Sequence, residues 1–368
     1  MQSEQNQLQT LTMNTQLNDT IRLLEQLIAT PSVSRDEQQA GNIIENYVQE
    51  KGCHPQRYLN NIWAIAPDYD KRRPSILLNA HIDTVKPVDA WTRDPFLPEW
   101  EGERLYGLGS NDDGGGLVAL LHTFLAMRTE KRSYNLIFLA SAEEEVSGKN
   151  GMEAVLPQLP PIDFAIVGEP TGLQPAIAEK GLMVLDVTTR GKAGHAARNE
   201  GINAIYKAMD DIRWFKDYRF KDTSELLGPV KMTVTIINAG TQHNVIPDKC
   251  VFTVDIRSNE LYSNKAVYDI VCKHVKSEVK ARSFRLNSSR IPVDHPVVRK
   301  CIEMGLKPFG SPTLSDQALM PFSSIKLGPG ESSRSHTADE YICKSEIDNA
   351  LNLYQNLLRG LELPSPTI

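Results

Sequence analysis

Two segments of this sequence carry histidine and carboxylate side chains in a spacing that suits metal binding. His81 and Asp83 come directly after the apolar run SILLNA, so both project on the same side from the end of a predicted strand. One imidazole nitrogen can bind a metal while a nearby carboxylate holds the other and fixes the tautomer. A histidine that is only hydrogen-bonded at a strand end is the ordinary alternative. His336, in the polar segment SHTADE, is equally ambiguous by itself.

Two adjacent carboxylates, Asp112 and Asp113, lie within GLGSNDDGGG, a glycine-rich segment that precedes an apolar helix. Glycine permits unusual backbone angles and a close approach of neighbouring chain. A phosphate-binding loop is a competing interpretation, but no Lys-Ser/Thr follows the glycines and two acidic residues would repel phosphate. A plain turn is the other alternative.

Three consecutive glutamates, 143–145, end the apolar run LIFLASA. A solvated run of charge is the usual explanation for such a segment. That explanation is weak directly after seven mostly apolar residues, where the chain should still be near the interior, and a cation would relieve the repulsion among the carboxylates. Glu169, in GEP, is a further carboxylate at a predicted strand end, although it could be a plain turn residue before Pro170.

These segments follow the predicted strands of one sheet. The runs SILLNAHID, NLIFLASAEEE and FAIVGEP are short and nearly continuously apolar, which is typical of buried strands in a covered α/β sheet. One helix is predicted between the first two runs. Others are predicted over 19–29, where Asp19 is a plausible cap, and over 36–51 and 345–361. Open α/β sheets bind their ligands at the carboxyl ends of the strands, so these side chains should converge.

Convergence of two histidines and several carboxylates would create a hydrolytic metal centre. Mixed nitrogen and oxygen ligands suit zinc or a similar borderline ion. A carboxylate shared between two ions roughly 3.5–4 Å apart would complete a two-metal site. The sequence therefore predicts such a site at the carboxyl edge of the sheet.

The pattern changes from about residue 174. LMVLDVTTRG, VKMTVTIINAG and CVFTVDIRSN alternate as half-exposed strands, with amphipathic helices near 202–215 and 264–280. This order predicts a small α+β domain with one sheet face covered, inserted into the α/β domain. We predict a disordered leader over 1–17, a catalytic metal-binding domain over 18–173 and 287–368, and an inserted lid and dimerisation domain over 174–286.

Composition excludes several classes of protein. The 368 residues are 40% apolar and 23% charged, with a net charge of −6 and no basic stripe of the kind that binds nucleic acid. Five scattered cysteines without a CxxC pair argue against a disulfide framework and favour a reducing compartment. No apolar run approaches the roughly 20 residues of a membrane span. We expect a cytoplasmic protein without membrane or nucleic-acid partners.

Taken together, the motifs HIDTV, GLGSNDDGGG, SAEEEVSG, VGEPT and HTADE resemble those of the co-catalytic zinc peptidases and deacylases, a family that includes acetylornithine deacetylase and succinyl-diaminopimelate desuccinylase. GHAA at 194–197 and HNVIPD at 243–248 add to the resemblance inside the inserted domain. The family usually has Asp-Glu-Glu where this chain has 143–145. It often has Met-Lys after the bridging aspartate, where this chain has Asp113 and Gly114.

The resemblance implies roles for particular residues. Two divalent ions, zinc or alternatively cobalt, are implied, with Asp83 orienting a ligand, Glu144 as general base and a cis peptide between Asp112 and Asp113. His195 matches a histidine that contacts the oxyanion, and the implied substrate contacts come from Asn244, Arg257 and Lys180. The implied metal ligands are His81 on one ion and His336 on the other, Asp112 as the bridge between them, and Glu145 and Glu169, each beside one ion.

The resemblance further implies hydrolysis of the amide bond of an N-acyl amino acid by a homodimer. N-acetylornithine, or a close N-acyl-ornithine or citrulline analogue in arginine biosynthesis, is the expected substrate. Alternatives are succinyl-diaminopimelate or another N-succinyl amino acid, for whose extra carboxylate Lys180 is a candidate, or a dipeptide. A non-catalytic binding protein is disfavoured because every implied ligand and Glu144 are present.

Overall fold

The computed structural model describes residues 2–198 and 200–364, with side chains described from Thr15 onward. The chain divides into two compact units. The first comprises Met1–Ile177, Ile291–Phe309 and Ser315–Ile368, and the second comprises Ala178–Arg290 and Gly310–Leu314. The second unit therefore interrupts the first in sequence, close to the predicted limits at 174 and 286.

Eight α-helices occur in the described chain: α1 (Gln2–Ile28), α2 (Gln38–Glu50), α3 (Gly115–Met127), α4 (Met152–Val155), α5 (Ala204–Asp217), α6 (Asn264–His274), α7 (Pro296–Glu303) and α8 (Lys344–Leu358). Short 3-10 turns lie at Leu156–Gln158, Asp316–Leu319 and Ser332–Arg334, and a single π-helical turn at Ser110–Gly114 opens α3.

Eighteen strands occur in the same residues: β1 (Gln56–Tyr58), β2 (Asn61–Ile65), β3 (Ser75–His81), β4 (Glu99–Glu101), β5 (Arg104–Tyr106), β6 (Asn135–Ser141), β7 (Phe164–Val167), β8 (Ala176–Glu179), β9 (Met183–Arg190), β10 (Gly194–His195), β11 (Lys231–Ala239), β12 (Val245–Ile246), β13 (Lys249–Arg257), β14 (Glu278–Ala281), β15 (Ser289–Arg290), β16 (Phe309–Ser311), β17 (Ser323–Lys326) and β18 (Tyr341–Cys343).

A nine-stranded sheet has the order β1-β2-β6-β3-β7-β17-β8-β15, with β16 beside β8. Its centre, β6-β3-β7-β17, is parallel, whereas β2 and β8 join this centre antiparallel. Every residue of β3, β6 and β7 is buried; α3 contacts β3 and β6, and side chains of α4 pack with residues of all three strands. The α/β prediction is confirmed, and parallel order places the carboxyl ends of β3, β6 and β7 at one edge.

The second unit contains an antiparallel sheet of order β11-β13-β9-β14. Burial alternates along β9, and its inward side chains pack with those of α5 and α6 into a separate core. The prediction of one helix over 264–280 is wrong at its end. Asp211 accepts hydrogen bonds from the N–H groups of Lys276 and Ser277 at 3.1 Å each, and the chain then pairs with β9 as β14.

Helix α1 also departs from the sequence prediction, which placed a disordered leader over 1–17 and a cap at Asp19. The structure instead continues the helical backbone from Gln2 to Ile28, because no proline or glycine interrupts that segment. Leu17 and Thr20 are already buried. Within the described part of the chain, no helix is both long and apolar enough to cross a membrane.

The burial of His122 in α3 leads us to predict that the free energy of unfolding falls measurably in acid. Its Nε2 lies 2.9 Å from the Tyr47 hydroxyl, and burial lowers the pKa of His122 to about 4. The unfolded chain, with a histidine pKa of about 6.5, therefore takes up a proton that the folded chain does not between pH 6.5 and 4. We expect this group to lower the free energy of unfolding by about 2 kcal/mol as the pH falls from 8 to 5.

The matched variant is His122→Gln, which keeps a polar side chain but does not titrate in this range. Urea denaturation should show the wild type more stable at pH 8, with its advantage reduced by that amount at pH 5. An advantage of equal size at both pH values would contradict the assignment.

Candidate active site and metal centre

Every predicted metal ligand comes from the first unit and lies at or just after the end of a strand, or in or just after a turn. His81 is the last residue of β3, and Glu145 and Glu169 follow the ends of β6 and β7. Asp112 lies in the π-helical turn that opens α3, and His336 follows the 3-10 turn at Ser332–Arg334. The sheet order β6-β3-β7 places the first three of these segments side by side.

The five side chains meet in two groups that share Asp112. His81, Asp112 and Glu169 form one group, and Asp112, Glu145 and His336 form the other, each with its ligand atoms within 4.8 Å of one another. Oδ1 of Asp112 faces Nε2 of His81 at 3.3 Å, whereas Oδ2 faces Nε2 of His336 at 3.7 Å. The two oxygens of one carboxylate therefore point to different histidines, which is the arrangement of a bridging ligand.

Asp83 contacts His81 and also holds the segment that carries the glutamates. Nδ1 of His81 lies 2.9 Å from the main-chain oxygen of Asp83, and 3.6 Å from the carboxylate. The carboxylate also accepts hydrogen bonds from the N–H groups of Glu144 (3.0 Å) and Glu145 (3.1 Å) and from the Ser34 hydroxyl (2.7 Å). Asp83 thus holds the backbone of the glutamate segment beside β3.

The peptide between Asp112 and Asp113 is cis, as predicted. Asp113 is buried, and neither of its carboxylate oxygens has a hydrogen-bond partner. A Cβ atom at Gly116 would lie 2.1 Å from Asp113 Oδ1 and 2.1 Å from the Gly168 carbonyl oxygen. Glycine at position 116 is therefore required for the close approach of the first turn of α3 to the residue that follows β7.

Burial sets the electrostatics of the cluster. Desolvation, reinforced by the Asp112 charge, raises the pKa of Glu169 to about 8. Desolvation and the Glu169 charge raise the pKa of Glu144 well above its usual range. The hydrogen bond with Glu145 raises the pKa of His336 to about 9. Several carboxylates thus crowd a region where water does not stabilise their charge, and bound cations would do so.

This donor set fits divalent metal ions. Imidazole nitrogens and carboxylate oxygens are ligands that zinc and similar borderline ions accept, and each group offers three of them with Asp112 in common. His81 also has its second ring nitrogen held by a main-chain oxygen, as metal-binding histidines usually do. The geometry therefore fits a divalent metal ion at each group of three donors.

A family model described as "Peptidase family M20/M25/M40" matches residues 77–360, which is most of the chain. This chain belongs to that family. The resemblance read from the sequence motifs is confirmed, and the protein is a metal-dependent amidohydrolase.

Curated relatives match this M20-family chain over nearly its whole length. Acetylornithine deacetylase of Proteus mirabilis is 29% identical, covering 95% of this chain and 98% of the relative. Succinyl-diaminopimelate desuccinylase of Xylella fastidiosa is 25% identical, covering 94% and 99%. Relatives named for two different acyl groups thus match this chain over similar spans.

Solved structures share the fold at lower identity. A tripeptidase from Staphylococcus aureus superposes with a TM-score of 0.76 at 18% identity, covering 93% of this chain and 98% of that one. A dinuclear metal-binding peptidase of the M20 family from Bacillus subtilis has a TM-score of 0.72 at 16% identity, covering 94% and 98%. These likenesses establish the M20 fold of the chain.

Two of the predicted catalytic and substrate contacts lie together in the second unit. His195 of β10 pairs with Val245 of β12, and the N–H of Ala196 donates to the Asn244 main-chain oxygen at 2.9 Å. His195 is exposed, and its Nδ1 accepts a hydrogen bond from the N–H of Ala197 at 3.2 Å. The structure therefore brings His195 and Asn244 together at one two-stranded antiparallel ladder, whose strands are far apart in sequence.

The predicted cations also lie in the second unit. Arg257, at the end of β13, forms a two-pronged ion pair with Asp255, at 2.9 and 3.2 Å. Lys231 is its cross-strand partner in β11. The Lys180 ammonium donates to the Pro229 carbonyl oxygen at 3.1 Å, and burial together with the charges of Lys231 and Arg257 lowers the pKa of Lys180. Three cations therefore lie close enough to affect one another, with Lys231 as a member that sequence reasoning missed.

Other residues around the metal centre were also missed by the sequence analysis. Ser34 contacts Asp83, and Lys326, buried at the end of β17, lowers the pKa of Glu169 through its charge. A lysine inside the apolar run SSIKLG is a visible signal, because lysine is rarely buried without a charged partner. Glu340, whose carboxylate accepts hydrogen bonds from the N–H groups of Asn111 and Asp112, had no such signal, since it lies in a polar segment.

Proposed function

We propose that this M20-family enzyme hydrolyses the amide bond of an N-acyl amino acid. Its preferred substrate would be N-acetylornithine, or a close N-acyl-ornithine or citrulline analogue, in arginine biosynthesis. The observation that carries the proposal is the pair of three-donor groups that share Asp112, with Glu144 held beside them. The full-length match to a deacetylase supports the choice of acyl group.

Within this proposal, the five ligands would hold two divalent ions, zinc or cobalt. His81 and Glu169 would hold one ion and Glu145 and His336 the other, with Asp112 contributing to both groups. When bound, such ions polarise the scissile carbonyl and make water acidic enough to be deprotonated near neutral pH.

The chain's own residues perform the proton transfers. Glu144 takes a proton from the attacking water and delivers it to the leaving amine nitrogen, so one carboxylate serves as base and then as acid. Two hydrogen bonds from the Glu144 and Glu145 N–H groups to Asp83 keep that segment in place. His195 donates to the oxyanion of the tetrahedral intermediate, and Asn244 supplies a second polar contact. Arg257 binds the substrate carboxylate.

A second substrate class is favoured by the three cations of the second unit. An N-succinyl amino acid carries a carboxylate that an N-acetyl amino acid lacks. Lys180 and Lys231, beside Arg257, would supply cations for it. The match to a desuccinylase over a similar span also supports this alternative.

One assay separates these candidates. The metal-loaded enzyme is given N-acetylornithine, N-succinyl-diaminopimelate and a simple dipeptide, and kcat/KM is measured for each. We expect N-acetylornithine to have the highest value. A higher value for the succinylated substrate would move the assignment to a desuccinylase, and a higher value for the dipeptide would move it to a dipeptidase. No hydrolysis of any amide by metal-loaded enzyme would contradict the proposal.

The cation cluster yields a separate prediction about specificity. Lys180→Met should raise KM for N-succinyl-diaminopimelate by about tenfold, since one charge-assisted hydrogen bond is lost, and should leave KM for N-acetylornithine nearly unchanged. Arg257→Met should raise KM for both substrates, because both carry the carboxylate that Arg257 binds.

Lys207→Met is the matched control, since this lysine of the same unit donates to the Arg190 carbonyl oxygen and lies apart from the cluster. It should change neither KM. Equal effects of Lys180→Met on both substrates would contradict a role for Lys180 in recognising the second carboxylate.

A further inference from the structure

The loop 331–340, which carries His336, meets the loop 107–114, which carries Asp112, at two places. The Asn111 side chain accepts a hydrogen bond from the Glu331 N–H at 3.0 Å and donates to the Glu331 main-chain oxygen at 3.1 Å. At the other end of the loop, the Gly107 N–H donates to the Glu340 main-chain oxygen at 3.0 Å. The two ligand-bearing loops are therefore joined on both sides of His336.

Glu340 makes the most concentrated of these contacts. Its Oε1 accepts hydrogen bonds from the N–H groups of Asn111 and Asp112, both at 2.9 Å, and its Oε2 accepts one from the Gly109 N–H at 3.2 Å. The Glu340 side chain is almost completely buried. Three main-chain donors from the turn that opens α3 thus converge on one carboxylate, and one of them belongs to the bridging aspartate itself.

The loop that ends at Glu340 needs such an anchor. His336 has φ +60° and Asp339 has φ +54°. Both values lie in the left-handed region, which residues other than glycine rarely adopt. Such conformations persist only where surrounding contacts determine them. Glu340 supplies those contacts one residue after Asp339 and four residues after His336.

We propose that Glu340 is the positioning residue that joins the two metal subsites, because it fixes both the bridging Asp112 and the loop that carries His336. This inference rests on the proposed metal centre. A change at Glu340 should lower the binding affinity for both ions. A change at a ligand that belongs to only one group should chiefly lower the affinity for one ion. Glu340 itself binds no ion and touches no substrate in this assignment.

The test measures binding of zinc alone to metal-free protein, in competition with a chromophoric chelator. Wild type should take up two equivalents. Glu340→Gln retains an acceptor for the Asn111 and Asp112 N–H groups but sets an NH2 group against the Gly109 N–H. We expect both stepwise zinc affinities to fall by about 10- to 100-fold, as for other residues that orient metal ligands.

Asp211→Asn is the matched control. Asp211 is likewise a buried carboxylate that accepts hydrogen bonds from main-chain N–H groups, those of Lys276 and Ser277 at 3.1 Å each, but it belongs to the second unit, which supplies no proposed ligand. Its replacement should leave both zinc affinities within about a factor of two, as expected of a substitution outside the site. Melting of each metal-free protein, measured in parallel, separates positioning from general stabilisation.

The outcomes are distinguishable. A Glu340→Gln variant that melts earlier without metal but binds both zinc ions like wild type would overturn the inference, and so would loss of only one ion. If that variant does not fold, Glu340→Asp withdraws the carboxylate by one methylene, and tight binding of both ions by it would overturn the inference equally. Wild-type protein that binds fewer than two ions would instead overturn the proposed metal centre.

Discussion

Glu144→Gln is expected to lower kcat by about 10²- to 10⁴-fold, the usual contribution of a general base, while zinc content stays near that of the wild type. Glutamine keeps the size of the side chain but cannot take a proton from water. The substitution leaves all five proposed ligands intact, and the Glu144 N–H can still donate to Asp83. Activity is measured with N-acetylornithine and metal content by elemental analysis of the same preparation.

The neighbouring glutamates provide the controls. Glu145→Gln should weaken zinc binding, because Glu145 belongs to the group with Asp112 and His336. Glu143→Gln should affect kcat far less, since the Glu143 carboxylate instead accepts a hydrogen bond from the Asn150 side chain at 2.8 Å. Loss of metal in Glu144→Gln with normal metal in Glu145→Gln would mean that the roles of base and ligand are exchanged.

His195→Ala is expected to lower kcat by about 10²- to 10³-fold, as removal of an oxyanion donor does, and to leave zinc content and oligomeric state unchanged. His195 is exposed in the second unit, whereas every proposed ligand belongs to the first. We propose that it acts on the active site of the partner chain in a homodimer. Mostly exposed residues along the edge strand β11, with Ile236 52% and Ile237 53% exposed, support the second unit as the dimer interface.

Mixing two inactive variants tests this arrangement. When His195→Ala and Glu144→Gln chains exchange subunits, each mixed dimer would have one site with both lesions and one intact site. Equal mixing should then restore about a quarter of wild-type activity, since half of the dimers are mixed and half of their sites are intact. No recovery after verified subunit exchange would contradict action in trans, and His195→Ala with normal kcat would remove His195 from the mechanism.

Local sequence patterns were enough to predict the regular elements of this protein, whose apolar residues follow the pattern of a buried strand. The apolar runs that become β3, β6 and β7 are recognisable because parallel strands covered on both faces must be apolar at nearly every position. Polar residues directly after such runs necessarily lie at one edge of the sheet. His81, Glu145 and Glu169 could therefore be assigned to one site before their distances were known.

Tertiary structure alone decided the contacts that join distant segments. Glu340 meets the main chain of Asp112 across 228 positions of sequence, and no period or composition marks such a contact. The same holds for the Asp83 carboxylate, which accepts hydrogen bonds from N–H groups in the segment after β6, about 60 positions away in sequence. The physical reason is that a buried carboxylate pairs with whichever main-chain donors the fold leaves unsatisfied beside it, and only the packing of strands and loops determines which donors those are.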